Sequence, residues 1–348
     1  MTTDGQGSIL VVIPTLNEFS TIQGVIDTLA QDWPADRQVS IVVADGGSTD
    51  GTVQRVQHMA TTRPWLSMMP NPRRIQSAAV NLAARTAGQD AEILVRCDAH
   101  AVYPVGYVRL LVEAMERTGA DAVVVPMDSS GRNCVQCAVA WVSDTPLGSG
   151  GSAHRGGKQS GFIDHGHHAA FRMQSFQRAG GYDESFTHNE DAELDCRQRA
   201  LGSRIYLDAN IRIGYSPRSS LQGLWRQYFG YGRGRSRTVR RHPGSLRVRQ
   251  LAVPMYVASC VAALLLSVLW PVLLFWPGIY VAALLAVSLQ LAVRRRSICG
   301  LLAGSAAATM HWAWATGFFI GLLTIRERAW SVSMPIASLA AAPKGGDG

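Results

Sequence analysis

The chain has 348 residues, room for about two domains, and a formal net charge of +8. The charge is uneven: residues 1–217 hold 18 Lys and Arg against 23 Asp and Glu, whereas residues 218–249 hold nine Arg and no acid. This pattern excludes a uniformly basic nucleic-acid-binding protein. It predicts instead a basic segment at the cytoplasmic face of a membrane.

The N-terminal part of the chain alternates apolar runs with helical patterns. Four short, mostly apolar runs predict buried strands, at residues 9–13, 39–44, 93–97 and 121–125. The segments between them predict helices, at residues 19–30, 52–59, 75–87 and 105–118. This alternation predicts βαβ units around a parallel sheet. We expect the first strand to end at Pro14, and residues 1–8, which lack signal-peptide features, to be disordered ahead of a cytosolic domain.

The C-terminal part contains long apolar segments. Residues 251–270 and 272–293 are each long enough to cross a bilayer, and neither carries a formal charge. Arginines precede the first segment, and an arginine triplet at 294–296 follows the second, so we expect both ends of this hairpin in the cytoplasm. A third span is predicted at about residues 300–325, with a re-entrant or interfacial helix as the alternative because two arginines follow it. The chain is thus predicted to be a multi-pass protein of the inner (plasma) membrane.

Three further patterns carry weaker signals. The six cysteines are scattered, and Cys134 and Cys137 lack a second Cys or His pair at zinc spacing, so we expect reduced, packed thiols. Residues 148–161 are rich in Gly, Ser, His and Arg and predict a mobile loop over a ligand site, while the spacing around Lys158 does not match a P-loop. Residues 164–168 (Asp-His-Gly-His-His) have no separated partner motif, so we expect them to meet an acceptor or a phosphate rather than form a dedicated metal site.

Asp45 follows the second predicted strand and precedes Gly46 and Gly47. Its carboxylate is therefore expected at the edge of the sheet, where the glycines let a ligand approach the backbone closely. A carboxylate there can accept a hydrogen bond from a base imide or a ribose hydroxyl. The alternative role is helix capping, which we assign to one of the three residues after the glycines, Ser48, Thr49 or Asp50.

Asp98 and His100 follow the third predicted strand. A carboxylate and an imidazole two residues apart suit Mg²⁺ or Mn²⁺. A divalent cation that bridges two phosphates makes the diphosphate a better leaving group. The alternative for His100 is a hydrogen bond to a phosphate.

Four acidic residues lie within six positions at the start of a predicted helix: Glu190, Asp191, Glu193 and Asp195. Acids in a first helical turn are favoured by the helix dipole, which suffices for Glu193 and Asp195. Adjacent carboxylates raise one another's pKa, as a general base near neutral pH requires. We expect one of Glu190 and Asp191 to deprotonate a hydroxyl while an Arg or an amide holds the other.

Residues 227–235 combine aromatic side chains, glycines and arginines. Arginine binds diphosphates through two parallel hydrogen bonds, and aromatic rings pack against sugars or lipids. The predicted ligand contacts are Gln227, Arg233 and Arg235. The remaining arginines up to Arg249 are expected to contact anionic lipids, and no nucleic acid partner is expected.

Four motifs in this order resemble the family 2 glycosyltransferases of GT-A fold: residues 13–18 (IPTLNE), 44–52 (ADGGSTDGT), 98–100 (DAH) and 189–191 (NED). The resemblance covers about residues 8–235. Within that family, the sequence is most similar to the succinoglycan-biosynthesis ExoA-type membrane glycosyltransferases.

The resemblance implies an α/β fold of the GT-A type, a Rossmann-like nucleotide-diphospho-sugar transferase with a mostly parallel sheet, followed by C-terminal transmembrane helices. The catalytic domain would span residues 9–235 and a basic juxtamembrane segment residues 236–250. A membrane segment of two or three helices would occupy residues 251–325, before a tail at 326–348.

The resemblance also implies roles for individual residues. Asp191 would be the catalytic base beside Glu190, and Asp98 and His100 would hold Mg²⁺ or Mn²⁺. The nucleotide-sugar would contact Pro14, Thr15, Glu18, Asp45, Arg74, Asp98, Gln227, Arg233 and Arg235. Processive relatives carry a Gln-x-x-Arg-Trp motif, but Gly230 and Tyr231 stand at its last two positions here, which favours one sugar per acceptor.

The function implied is inverting transfer of a hexose from a nucleotide-sugar, UDP-glucose, to a hydroxyl of a polyprenyl-diphosphate-linked saccharide in exopolysaccharide or cell-surface glycan synthesis. One alternative is a polyprenyl-phosphate sugar synthase, whose acceptor phosphate needs no strong base. The alternative from another class is a non-catalytic nucleotide-sugar-binding subunit of a membrane export complex.

Overall fold

The computed structural model describes residues 7–149, 157 and 159–332. These residues form two compact units. The first contains residues 7–127, 157, 159–214 and 331–332, and the second contains residues 128–149 and 215–330. Part of the predicted mobile loop, residues 150–156 and 158, lies outside the described residues.

The strands, in chain order, are β1 (Ser8–Thr15), β2 (Val39–Asp45), β3 (Leu66–Pro70), β4 (Ala91–Arg96), β5 (Ala122–Val124), β6 (Met127–Ser129), β7 (Gly161–Ile163), β8 (His168–Arg172), β9 (Ile205–Leu207) and β10 (Ile213–Tyr215). Eight of them form one sheet in the order β3-β2-β1-β4-β8-β5-β9-β7. β1 pairs in parallel with β2 and β4, as do β2 with β3 and β5 with β9, whereas β8 runs antiparallel to its neighbours β4 and β5.

The helices, in chain order, are α1 (Ile22–Leu29), α2 (Thr52–Ala60), α3 (Gln76–Thr86), α4 (Tyr107–Thr118), α5 (Cys134–Ser143), α6 (Pro146–Ser149), α7 (Met173–Arg178), α8 (Glu190–Ala200), α9 (Leu221–Arg241), α10 (Val248–Leu266), α11 (Phe275–Arg295) and α12 (Ala303–Thr324). Short 3-10 helices occupy Pro243–Ser245, Pro271–Leu274 and Ile298–Leu302.

The core of the first unit lies on both faces of the sheet. Side chains alternate between the two faces along a strand. In β1, Val11 therefore packs in a core with residues of α1, α2 and α4, whereas Leu10 packs in a core with residues of α3 and α7. Both side chains are fully buried, as expected for a strand covered by helices on both faces.

The predicted end of the first strand is wrong, because β1 continues through Pro14 to Thr15. β4 pairs with β1 only as far as Val12, so the missing N–H of Pro14 breaks no hydrogen bond on that side. The strands β3, β6, β7, β8, β9 and β10 were not predicted, and each has only three to five residues.

In the second unit, α9 and α12 pack with their backbones in close approach. A Cβ atom on Gly232 would lie 2.1 Å from the carbonyl oxygen of Trp314, and one on Gly317 would lie 2.1 Å from that of Phe229. Only glycine fits at either position. Small residues that let helix backbones approach closely are typical of helix packing in membranes.

Within the described part of the chain, one helical stretch is long and apolar enough to cross a membrane, Pro271–Arg295, and an 18-residue window inside it has a mean hydropathy of 2.2. The prediction of two or three spans is therefore not confirmed. The apolar part of α10, Gln250–Leu266, is shorter than 18 residues. α12 buries much of its surface inside the second unit, including Ala307, Met310 and Phe318.

Two features of the second unit differ from the predictions. Cys134 and Cys299 form a disulfide bond, so the expectation of reduced thiols is wrong for this pair, while Cys97, Cys137, Cys196 and Cys260 are not disulfide-bonded. The partners lie 165 positions apart, and spacing alone could not pair them. Two arginines expected to contact lipids, Arg237 and Arg241, are instead paired with Glu327 at 2.5 and 2.7 Å.

Candidate active site

The candidate site lies at the carboxyl ends of the central parallel strands. Thr15 ends β1 and is in register with Asp45, the last residue of β2. Arg96 ends β4, and Asp98 and His100 follow it within four positions. Open α/β sheets bind their ligands at this edge.

The Asp45 carboxylate is buried and holds the turn that follows it. Its Oδ2 accepts hydrogen bonds from the backbone N–H groups of Gly47 and Ser48 at 2.7 and 2.9 Å, and its Oδ1 accepts one from the Ser48 hydroxyl. The turn needs a glycine at Gly47, where φ is +92°. The guanidinium of Arg74 lies beside this glycine. The structure thus brings together two predicted nucleotide contacts, Asp45 and Arg74.

The predicted helix cap near this turn is wrong. The N-cap residue of helix α2 is Gly51, a left-handed residue with φ +95° and no side chain, rather than Ser48, Thr49 or Asp50. Asp50 instead accepts hydrogen bonds from the backbone and hydroxyl of Thr52 and from the backbone N–H of Phe19. These contacts tie the turn to the segment after β1.

His100 pairs with Glu18, on the nucleoside side of the predicted site. Its Nδ1 lies 2.9 Å from Glu18 Oε1, and the hydroxyl of Thr21 donates to Glu18 Oε2 at 2.8 Å. Partial burial raises the pKa of Glu18, but the hydrogen bonds from His100 and Thr21 outweigh it and lower the pKa overall. The imidazole of His100 is 54% exposed.

Asp98 is held by its backbone and by one carboxylate oxygen. The Tyr103 hydroxyl lies 2.6 Å from the Asp98 backbone nitrogen and donates to the Asp98 carbonyl at 3.1 Å. Burial raises the pKa of Tyr103 well above its ordinary value, so this hydroxyl stays protonated. Gln76, at the start of α3, donates to Asp98 Oδ1. The sequence reasoning missed Gln76, because nothing in its neighbourhood distinguishes it from an ordinary helix start.

Arg96 connects the strand end to the acidic cluster. Its Nη1 donates to Asp191 Oδ1 at 2.6 Å and to the Tyr182 hydroxyl at 2.9 Å, and its Nη2 lies 3.7 Å from Glu190 Oε1. Tyr182 also donates to Asp191 Oδ1, at 2.8 Å. Burial lowers the pKa of Arg96, but Asp191, Tyr182, Asp98 and Glu190 raise it well above its ordinary value, so the side chain stays charged.

Glu190 and Asp191 therefore have different surroundings. Burial, together with the negative charge of Asp191, raises the pKa of Glu190 to about 7, against the opposing charge of Arg96. Asp191 accepts the two hydrogen bonds from Arg96 and Tyr182. An arginine thus holds one of the two carboxylates, but it holds Asp191, the one that the resemblance assigns as the base, and not Glu190. Arg96 and Tyr182 were not predicted as site residues, although a charged residue at the end of an apolar strand is a usable signal for Arg96.

The other two acids of the cluster, for which the sequence predicted a structural role through the helix dipole, pair with side chains. Glu193 and Arg197 are fully buried and form an ion pair at 2.6 Å within α8. Asp195 Oδ2 lies 2.6 Å from His165 Nδ1. Only Glu190 and Asp191 of the four acids face Arg96.

The imidazole of His167 lies between Asp98 and Asp191. Its Nε2 is 3.7 Å from Asp98 Oδ2, and its Nδ1 is 3.8 Å from Asp191 Oδ2. The side chain is 17% exposed. The sequence placed His167 near an acceptor or phosphate, but its position between these two carboxylates could not be predicted.

Three predicted ligand residues lie in the second unit. Gln227 donates to the hydroxyls of Tyr215 and Tyr231 at 3.1 and 2.9 Å, and Arg235 is buried against the Ser245 carbonyl and Gln250. Arg233 is exposed. Their contact with a diphosphate remains a prediction.

The donor atoms near Asp98 fit a divalent cation that also binds a diphosphate. Among residues 7–149, 157 and 159–332, no three His, Cys, Asp or Glu side chains lie close enough to hold a metal ion by themselves. Asp98 Oδ2 does face an imidazole nitrogen, and one carboxylate, one imidazole and phosphate oxygens form a donor set that suits Mg²⁺ or Mn²⁺. Such a site would be completed by the nucleotide.

Residues 10–180 match glycosyl transferase family 2. The chain is also 43% identical over 321 residues to succinoglycan biosynthesis protein ExoA of Rhizobium meliloti (strain 1021), which covers 92% of this chain and 97% of that protein. The chain therefore belongs to the family 2 glycosyltransferases, as the four motifs predicted, and it is an enzyme of that family. This similarity confirms the predicted likeness to the ExoA-type glycosyltransferases.

Two more distant proteins extend the comparison. The chain is 23% identical over 327 residues, 90% of this chain and 97% of the relative, to the dolichyl N-acetyl-alpha-D-glucosaminyl phosphate 3-beta-D-2,3-diacetamido-2,3-dideoxy-beta-D-glucuronosyltransferase of Methanococcus voltae. The fold of this chain is similar to that of the mannosyltransferase PcManGT of Pyrobaculum calidifontis, which was solved with GDP-Man and Mn²⁺. The TM-score is 0.60 at 20% sequence identity, and the match covers 92% of this chain and 88% of the mannosyltransferase. The fold is thus of the GT-A type with a mostly parallel sheet, as predicted.

Proposed function

We propose that this chain is an inverting, divalent-cation-dependent hexosyltransferase of exopolysaccharide or cell-surface glycan synthesis. The observation that carries the proposal is that Asp98 and the Glu190–Asp191 pair lie at one edge of the sheet. Arg96, the last residue of β4, contacts both carboxylates of the pair. Asp98 would hold the cation of the sugar donor, and the Glu190–Asp191 pair would act on the acceptor hydroxyl. The name of the Rhizobium meliloti relative supports exopolysaccharide synthesis as the setting.

The donor is a nucleotide-sugar, and we propose that it is UDP-glucose. Thr15, Glu18, Asp45 and Arg74 would bind the nucleoside, beside Pro14, and Asp98 with an imidazole would hold the cation. A bound Mg²⁺ or Mn²⁺ supplies positive charge to the diphosphate as it leaves. The Pyrobaculum calidifontis mannosyltransferase, solved with GDP-Man and Mn²⁺, supports this class of donor and cation.

The acceptor hydroxyl gives its proton to Asp191. Arg96 and Tyr182 hold Asp191 Oδ1 and thereby orient the carboxylate, whose Oδ2 faces His167 Nδ1 at 3.8 Å. The deprotonated oxygen bonds to the anomeric carbon while the bond from that carbon to the diphosphate breaks on the opposite face, which inverts the configuration. Glu190 is the second candidate for the base, because its pKa of about 7 is well matched to proton transfer at neutral pH.

The acceptor is a saccharide linked to a polyprenyl diphosphate in the inner (plasma) membrane, with the catalytic domain in the cytoplasm. The Methanococcus voltae relative, named for a dolichyl-linked glucosaminyl phosphate acceptor, supports a lipid carrier. The apolar stretch Pro271–Arg295 and the exposed side chains of α10 supply a surface for membrane lipids. Gln227, Arg233 and Arg235 would contact a diphosphate, and one sugar is added per acceptor.

The test uses membranes that contain the full chain, incubated with a panel of radiolabelled nucleotide-sugars. Lipid extracts should acquire label from one donor, and the product linkage, determined by NMR, should have the anomeric configuration opposite to that of the donor. Membranes with Asp191→Asn are the matched control and should acquire almost none. A product with the configuration of the donor would contradict the inverting mechanism.

A polyprenyl-phosphate sugar synthase is the second candidate. The engagement of Asp191 by Arg96 favours it, because an acceptor phosphate is already ionised and needs no base. In that case Asp191→Asn would retain most of the activity, and the labelled product would be a single sugar on a lipid phosphate.

A further inference from the structure

The surroundings of His167 differ from those of His100, the imidazole that follows Asp98 in the sequence. Asp98 Oδ1 is already occupied by the Gln76 amide, and its Oδ2 faces His167 Nε2 at 3.7 Å. His100 instead has its Nδ1 2.9 Å from Glu18 and is mostly exposed. The carboxylate oxygen of Asp98 that Gln76 does not contact therefore faces His167.

We infer that His167, rather than His100, is the imidazole that shares the donor-bound divalent cation with Asp98. The inference rests on the proposed function, because that function supplies the cation and its nucleotide. Asp98 Oδ2 and His167 Nε2 face each other at 3.7 Å, and a carboxylate oxygen with an imidazole nitrogen would suit Mn²⁺.

The second nitrogen of His167 supports this assignment. A metal-binding histidine usually donates its other ring N–H to a carboxylate, which fixes the tautomer and the ring orientation. His167 Nδ1 lies 3.8 Å from Asp191 Oδ2, so the ring has a carboxylate on each side. The order Asp98, cation, His167, Asp191 would then connect the donor cation to the carboxylate proposed as the base.

The backbone holds His167 in this position. A Cβ atom on the preceding residue, Gly166, would lie 2.5 Å from Val124 Cγ2, so only glycine lets the chain pass this close to β5. The His167 carbonyl accepts a hydrogen bond from the Val125 N–H at 3.2 Å. The imidazole is therefore carried by a segment attached to the sheet.

The experiment measures Mn²⁺ binding by the full chain in detergent, without and with UDP, or with GDP if UDP does not increase the affinity of the wild type. The free Mn²⁺ signal in electron paramagnetic resonance gives the affinity. The modulation of the electron spin echo by a coordinated nitrogen reports a bound imidazole. Wild-type protein with Mn²⁺ and UDP should show this nitrogen modulation.

His167→Gln should remove the nitrogen modulation and weaken Mn²⁺ binding about tenfold or more. The matched control, His100→Gln, should keep the modulation and an affinity within about twofold of wild type. His167→Asn is a second variant, and the melting temperature of each variant shows whether it folds. Modulation lost with His100→Gln, kept with His167→Gln, or absent from the wild type would overturn the inference. If no sugar is transferred but His167→Gln removes the modulation, the proposed function fails and this inference stands.

Discussion

Arg96 and Asp191 are 95 positions apart in the sequence, yet Arg96 Nη1 and Asp191 Oδ1 are 2.6 Å apart in the structure. Arg96 is at the end of β4 and Asp191 is in the first turn of α8, and both side chains are largely removed from solvent. This pair links the strand that leads to Asp98 with the helix that carries the acidic pair.

Replacing Arg96 with methionine should reduce both stability and activity. The change leaves Asp191 and Glu190, each only 15% exposed, without their buried cation, and removing one partner of a buried ion pair costs about 3–5 kcal/mol. We expect the melting temperature to fall by about 10 °C and transfer to be lost. Arg63→Met is the control, because its partly exposed pair with Asp27 contributes about 1 kcal/mol or less. Equal melting temperatures for the two variants would contradict this role of Arg96.

Asp191→Asn and Glu190→Gln should differ in their effect on the transfer rate. General base catalysis contributes about 10²- to 10⁴-fold, so Asp191→Asn should reduce kcat by at least about 100-fold. Glu190→Gln should reduce it by about tenfold, since it removes only the neighbouring charge. Radiolabel transfer at saturating donor measures both. If Glu190→Gln has the larger effect, then Glu190 is the base.

The pH dependence of kcat/KM should show a limb near the pKa of Glu190. This pKa is raised to about 7, so Glu190 is ionised above and protonated below that value, and transfer should fall as the pH decreases through 7. In Glu190→Gln this limb should disappear. A limb that persists unchanged in the variant would assign it to another group.

The same shift predicts how stability depends on pH. The pKa of Glu190 in the folded chain, about 7, is above its ordinary value of 4.5, so the buried group destabilises the fold once it ionises. The stability contribution is complete below pH 4.5 and is lost as the pH increases through 7. Glu190→Gln should therefore raise the melting temperature relative to wild type more at pH 8 than at pH 5. The opposite order would show that Glu190 is stabilised as the anion.

Gly317→Ala should destabilise the second unit, whereas Gly24→Ala should not. A Cβ at Gly317 would lie 2.1 Å from the Phe229 carbonyl oxygen, but one at Gly24, in α1, meets no atom within 4 Å. Alanine is favoured over glycine in a helix by about 0.5–1 kcal/mol, so Gly24→Ala should raise the melting temperature slightly. The two variants are compared by thermal unfolding, and equal shifts would contradict the close approach of α9 and α12.

The local pattern of the sequence determined the strands and helices around the site. The apolar runs at β1, β2 and β4 were recognisable because strands buried on both faces are almost continuously apolar, and these strands end at the polar residues Thr15, Asp45 and Arg96. The four motifs determined the family. The sequence pattern could not predict the short strands β7, β8 and β9, because three to five residues are too few to show an apolar periodicity.

The partners of these residues were decided only by the tertiary structure. Asp98 and His100 are neighbours in sequence, but in space Asp98 faces His167 and His100 faces Glu18. The Cys134–Cys299 bond and the Arg96–Asp191 pair likewise join distant positions. Sequence patterns report periodicity and local geometry, whereas the distance between residues far apart in the chain depends on how strands and helices pack, so the pairing of these residues could not be predicted.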